Sequence, residues 1–222
     1  MRLRHLLVLA ASGVALSASA VLAQTAPPAG IPAPPATTSV KASDAPAGVY
    51  NIDPRHTAVT WRIRHAGLSL WTARFDKTNG KLTFDPAAPE KSSIEATIDA
   101  NSVSTGVLNA QGERAFDAEI GGTFLGGKEN PNITFKSTAI KLTGAQTGLV
   151  SGDLTVKGVT KPVVLDVKFE GGKLNVQNQK YKLAFTARTV IDRTQFNIVG
   201  GPIDTQASKE AEIIITSELT QQ

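Results

Sequence analysis

The side chains able to do chemistry are few. The chain has three histidines, at positions 5, 56 and 65, and no cysteine. His56 follows Asp53 by three residues, and His65 follows His56 by nine. An imidazole beside a carboxylate can move a proton or hold a metal ion. The spacing argues against a shared site. It fits no i, i+4 ligand pair on a helix, and an odd separation along one strand puts the two rings on opposite faces unless a bulge intervenes. Structural hydrogen bonding or a polar contact is the expected role of both, with no metal and no catalytic residue. The absence of cysteine removes thiolate metal sites, thiol catalysis and haem attachment through cysteine. No Gly-x-Ser-x-Gly elbow is present, and no Gly-x-Gly-x-x-Gly or Walker-type loop. Arg62, Arg64, Arg188 and Arg193 are of the right type to meet a diphosphate or carboxylate head group. The alternative is that they form the wet face of strands.

The elements that would carry these residues are strands. Val59, Trp61 and Ile63 alternate with Thr60, Arg62 and Arg64. Val163, Leu165, Val167 and Phe169 alternate with Val164, Asp166 and Lys168, and Tyr181, Leu183, Phe185 and Ala187 with Lys182, Ala184, Thr186 and Arg188. Period-two alternation means one buried and one wet face. Eight strands are expected, near 50–65, 72–85, 91–100, 132–142, 148–157, 161–170, 180–190 and 209–219. Thr78-Asn79-Gly80-Lys81 and Glu170-Gly171-Gly172-Lys173 read as hairpin turns. Short links predict an antiparallel meander, not βαβ units. Leu108, Ala115, Phe116 and Ile120 follow helical spacing, with Thr105 or Asn109 as the cap and Gly121-Gly122 as the stop. An eight-stranded meander closes into a barrel or packs as a sandwich. Closure removes the exposed edges, and the pattern alone leaves both open.

The N-terminus has a different character. Met1-Arg2-Leu3-Arg4-His5 precedes an apolar run from Leu6 to Leu16 and small residues up to Ala23. This is the pattern of a secretory signal peptide over residues 1–23, with cleavage after Ala23 or Ala20. The run is shorter than the ~20 residues of a spanning helix. Loss of residues 1–23 removes two arginines and no acids, leaving 21 basic and 19 acidic side chains and a net charge of +2. A nearly neutral domain is not a nucleic-acid footprint. Residues 24–47 are dominated by Ala, Pro, Thr and Ser. They read as a disordered, semi-stiff linker, with residues 48–222 as the folded domain.

Within that domain a series of motifs stands in a telling order. They are Tyr50-Asn51-Ile52-Asp53-Pro54-Arg55-His56-Thr57, His65-Ala66-Gly67-Leu68-Ser69, Ser102-Val103-Ser104-Thr105-Gly106 and Asn130-Pro131-Asn132-Ile133-Thr134-Phe135. Gly152-Asp153-Leu154-Thr155-Val156-Lys157-Gly158-Val159-Thr160-Lys161-Pro162 and Arg193-Thr194-Gln195-Phe196-Asn197-Ile198 follow. The set resembles the YceI family of polyisoprenoid-binding proteins over roughly residues 49–219. The resemblance implies an all-β, eight-stranded antiparallel, lipocalin-like barrel with one short helix near one end. It also implies an apolar tunnel for an isoprenoid or fatty chain, a periplasmic or secreted location and no cofactor chemistry. Three places depart from the family pattern. Ala73-Arg74-Phe75 stands where the family usually has Gly before the Phe of its second strand, Phe116-Asp117-Ala118-Glu119-Ile120 where it has Arg-Asp-x-His-Leu, and in the Arg-x-Asp-Phe-Gly-Ile signature Gln195 replaces the acid and Asn197 the Gly.

The expected function is therefore that of an exported carrier, scavenger or store of a long apolar chain, such as an isoprenoid quinone, polyprenyl phosphate or fatty amide. The expected ligand-binding lining is the apolar parity of the strands: Trp61, Ile63, Phe84, Ile98, Phe135, Leu154, Val156, Leu165, Val167, Leu183, Phe185, Ile213 and Ile215. His56, His65 and Arg193 are the candidate polar contacts at the mouth. The expected partner is the lipid itself, with transient membrane contact or a homodimer as further options and no nucleic acid. Two rival readings remain: a periplasmic hydrolase or metal-dependent enzyme using His56, His65 and Asp53, and a stress-protective envelope protein whose barrel is packed solid.

Overall fold

The computed structural model describes residues 38–222. The expected signal peptide and most of the expected linker lie outside the described residues. Eleven strands follow one another: β1 (Gly48–Ile52), β2 (Ala58–His65), β3 (Ser69–Phe75), β4 (Thr78–Phe84), β5 (Ser93–Asp99), β6 (Val103–Ser104), β7 (Asn132–Leu142), β8 (Thr147–Val156), β9 (Val159–Asn175), β10 (Lys180–Asp192) and β11 (Glu210–Gln221). All pair antiparallel. β11 pairs with β1 at one end and with β2 at the other, and β1 pairs on with β4. β1 and β2 therefore succeed each other along one edge of β11, and β4 continues β3 in the same way. The result is a closed antiparallel barrel of eight staves. Closure leaves no long unpaired edge.

The eight expected strands correspond to these staves, with two interruptions. Between β1 and β2 the chain bulges out over Asp53–Thr57. The Asp53 N–H donates to the Glu218 carbonyl, and the Glu218 N–H donates to the His56 carbonyl, so the bulge is stitched to β11 at both ends. Between β3 and β4 it turns at Asp76 and Lys77, whose N–H groups donate to the Ser102 carbonyl and hydroxyl.

Both expected hairpin turns are wrong. Thr78–Lys81 lies inside β4, paired with β5. Gly80 is there because a Cβ would sit 2.3 Å from the Glu95 carbonyl oxygen. Glu170–Lys173 lies inside β9, where the register against β10 shifts and Glu170 is the extra residue of a bulge. Tight turns occur elsewhere. Lys157 and Gly158 have φ of +51° and +74° and join β8 to β9 as a two-residue hairpin.

The last ten residues of the segment read as a disordered linker are ordered against the barrel. Ser39 bridges Gly172, the Gln146 side chain donates to the Val40 carbonyl, Ala45 is buried, and the Tyr50 hydroxyl donates to the Pro46 carbonyl. Backbone pairing at the bulge and burial of Ala45, with Ala42 beside it, together dock this arm.

The short helix α1 (Ala115–Glu119) is smaller than the expected span, and neither Thr105 nor Asn109 caps it. Asn109 instead accepts from the N–H groups of Gln111 and Glu113. Gly121 and Gly122 do not stop the chain's winding, which continues as a wide π turn over Ile120–Phe124. A Cβ on Gly121 would lie 2.9 Å from the Ala100 carbonyl oxygen, so glycine permits the close approach to the barrel rim. A single helical turn, α2 (Ile203–Gln206), follows β10. Asn197, standing where the family pattern has glycine, adopts φ +56° and ψ +27°. Asparagine tolerates this left-handed conformation better than most side chains, which accounts for the exchange.

Candidate functional site

The barrel is hollow. A cavity of about 700 Å³ runs along its interior. It is bordered at one end by α1, the π turn, α2 and the tip of the β2–β3 hairpin, and at the other by the β7–β8 turn, Pro89 and Ala42. Inward alternation makes the wall: Trp61 and Ile63 on β2, Phe84 on β4, Ile98 on β5, Phe135 on β7, Leu154 and Val156 on β8, Leu165 and Val167 on β9, Phe185 on β10, and Ile213 and Ile215 on β11 all border it. Many of their outward neighbours are polar, as where Arg62 pairs with Glu212 across β2 and β11, although Val164 and Ile214 also face outward. A solidly packed barrel does not fit this interior.

Leu183 is the exception among the expected lining residues. It shares the parity of Phe185 but does not border the cavity. It is packed among Tyr50, Leu82 and Leu219, and only 1% of its surface is exposed. Position along the stave, as well as parity, decides what reaches the cavity. Residues from outside the strands complete the upper end: Phe116 and Glu119 of α1, Ile120 and Phe124 of the π turn, Ile198, Ile203 and Gln206. The helical spacing of Phe116 and Ile120 was the sequence signal for two of them; Glu119, Phe124, Ile198, Ile203 and Gln206 carried none. Trp61, Trp71 and Phe116 meet in series there, edge-on and tilted rather than stacked, with 5.5 Å between successive ring centroids.

The three candidate mouth contacts have different fates. His65 borders the cavity at the α1 end. His56 does not. It sits in the β1–β2 bulge, its Nδ1 2.8 Å from the Asp53 carboxylate. His65 ends β2 and His56 lies just before its start, so the strand's length, about 23 Å at ~3.3 Å per residue, separates them. The grouping of His56, His65 and Asp53 into one catalytic or metal site is thereby ruled out by distance.

Asp53, His56 and Glu218 do come together, with ligand atoms within 4.8 Å of one another. Lys182 fills the middle of this group. Its ammonium lies 3.2 Å from Asp53 and 3.0 Å from Glu218. The cluster is an ion-pair network tying the bulge to β10 and β11. Partial burial pushes the Asp53 carboxyl up, but hydrogen bonds from His56, the Arg55 N–H and Lys182 outweigh it and hold it at about 2. An acid whose folded pKa is depressed gives stability that is full above its unfolded value and lost as pH falls through the folded one. Asp53 is therefore expected to contribute about 2 kcal/mol that disappears between about pH 4 and pH 2. Urea unfolding across that range will show it, and Asp53→Asn will flatten the profile there.

Arg193 is not a free mouth residue. It borders the cavity, yet only 4% of it is exposed, and its guanidinium is fully committed. It donates to the carbonyls of Ser208, Ile198, Ile203 and Ala207 and pairs with the Asp204 carboxylate at 3.2 Å. It binds the 198–208 segment to the barrel rim. Asp117 plays the matching part for α1. Burial raises its pKa, but donation from the Thr105 hydroxyl and N–H and from Arg114 outweighs this and lowers it.

Fold and cavity together define a closed antiparallel β-barrel with a hollow, apolar interior. The YceI-like domain family model matches residues 50–219, and the chain belongs to that family. A UPF0312 protein of Ectopseudomonas mendocina is 34% identical over 173 residues, covering 76% of this chain and 85% of the relative. A second, from Pseudomonas paraeruginosa, is 33% identical over 181 residues, covering 80% and 89%. Among solved structures, Burkholderia cenocepacia BcnA superposes with a TM-score of 0.64 at 24% identity, covering 75% of this chain and 98% of its own. A polyisoprenoid binding domain from Saccharophagus degradans, described as implicated in plant cell wall breakdown, superposes with a TM-score of 0.56 at 16% identity, covering 78% and 98%. These structures share the fold of this barrel.

Proposed function

We propose that this protein is an exported, non-enzymatic carrier, scavenger or store of a long apolar lipid, held in the barrel cavity. The observation that carries the reading is the continuous, almost uncharged interior of about 700 Å³. That size lies in the range of ligand sites. Each buried CH₂ group contributes about 0.8 kcal/mol, so a chain of some tens of carbons binds well even after the cost of ordering it. An isoprenoid chain is the favoured ligand, in keeping with the polyisoprenoid-binding domain that shares this fold. Binding of this kind needs no catalytic group and no cofactor. Residues 1–23 support export to the periplasm or beyond.

The test is mass spectrometry of the protein purified without detergent from cells, with organic extraction of what it carries. A stoichiometric long-chain lipid is expected. Protein that emerges empty, and then binds neither a polyprenol nor a fatty alcohol, overturns the reading.

A further inference from the structure

Two charged residues border the cavity among the described residues, Glu119 and Arg193. Arg193 is spent on carbonyl groups and on Asp204. Glu119 is exposed and, among the described residues, its carboxylate has no hydrogen bond or ion pair. The nearest basic residue along the chain, Arg114, already donates to the Ser104 hydroxyl and the Asp117 carboxylate. Among the described residues, Glu119 is thus the one unpaired charge that lines the cavity; Arg64, next to His65, also makes no ion pair but donates to the Leu68 carbonyl and lies outside that lining.

The same end carries the unused hydrogen-bonding groups. His65 and Gln206 border the cavity there, and their side chains make no hydrogen bond among the described residues. At the opposite end the polar lining groups are already engaged. Gln146 donates to the Val40 carbonyl, the Ser92 hydroxyl accepts from the Asp85 N–H, and the Thr147 hydroxyl accepts from Thr143. A head group leaving water needs partners, and the α1 end is where they stand free.

We propose that the head group of the bound lipid sits at the α1 end, between His65, Glu119 and Gln206, and that Glu119 selects uncharged or cationic heads over anionic ones. The inference rests on the lipid-binding reading and narrows it: long-chain alcohols, quinones, amides and amines are accepted, whereas carboxylates and phosphates are disfavoured. Two carboxylates brought together at the rim of an apolar wall repel more strongly than in bulk water. A positively charged amine gains by the same amount.

The experiment measures binding of hexadecanol, hexadecylamine and hexadecanoate, which share one chain and differ in the head. The full-length mature protein is used, with Glu119→Gln and Glu119→Lys beside it. In the unaltered protein hexadecanoate is expected to bind roughly fivefold or more weakly than hexadecanol, given a partly exposed charge pair at an effective dielectric between that of water and ~20. Glu119→Gln should close the gap, and Glu119→Lys should reverse it so that hexadecanoate binds best. Thermal unfolding of both variants should be unchanged, because the side chain is exposed and unpartnered. Equal affinities in the unaltered protein, or a gap that Glu119→Gln leaves intact, overturn the inference while leaving lipid binding in place. Failure of all three probes, and of a polyprenol beside them, removes both.

Discussion

Arg193→Ala is expected to destabilise the barrel by about 3–5 kcal/mol, the size seen when one partner of a buried charged network is removed. The guanidinium is 4% exposed and serves five acceptors on the 198–208 segment. Its loss leaves carbonyls of Ile198, Ile203 and Ala207 without that donor in a largely dry rim, and each unmet group costs of the order of 1–3 kcal/mol. Arg193→Lys should rescue only part of this, because an ammonium is a compact point charge and cannot span the positions that the planar fork reaches. Urea unfolding of both variants measures the loss. Hydrogen exchange should show it concentrated in residues 198–208, which border the upper end of the cavity through Ile198, Ile203 and Gln206. A loss below about 1 kcal/mol for Arg193→Ala would mean that the guanidinium does not hold this segment.

Ala187→Trp is expected to weaken lipid binding by about a hundredfold while leaving folding stability unchanged or slightly raised. Ala187 points inward from β10, and its cross-strand neighbours Val167 and Ile215 both border the cavity. The interior of an eight-stranded barrel is only about one slim chain wide, so one indole placed there blocks a threaded lipid. The ring fills void rather than displacing packed atoms, which is why stability should not fall. Titration with hexadecanol and urea unfolding on the same variant separate the two effects. The outward-facing neighbour gives the control: Arg188→Trp should leave binding untouched. Binding that survives Ala187→Trp would place the lipid outside the barrel.

Much of the wall of this site was legible from alternation alone. Trp61 and Ile63, Leu154 and Val156, Leu165 and Val167, and Ile213 and Ile215 were assigned inward by parity, and inward is where they point. Local turn chemistry was less dependable. Asn79-Gly80 has the composition of a type I′ turn, yet its glycine answers to a carbonyl on the neighbouring strand. A glycine needed for a turn and a glycine needed for close approach read the same in one dimension.

Taken by itself, the amino-acid sequence determined the strand staves and their wet and dry faces, because those follow from a period of two along each strand. Membership of the YceI-like family was legible in the motifs from Tyr50 to Ile198. The tertiary structure alone decided the ends. It packed Leu183 away beside Tyr50 and put Phe185 on the cavity, though both share one face. It sent His56 to an outer ion-pair network and His65 to the mouth. It turned Arg193 from a ligand contact into a clamp and left Glu119 as the free charge at the rim. The reason is one of range: which face a side chain takes is set by its own strand, whereas what it meets at the barrel's ends is set by segments distant in the chain.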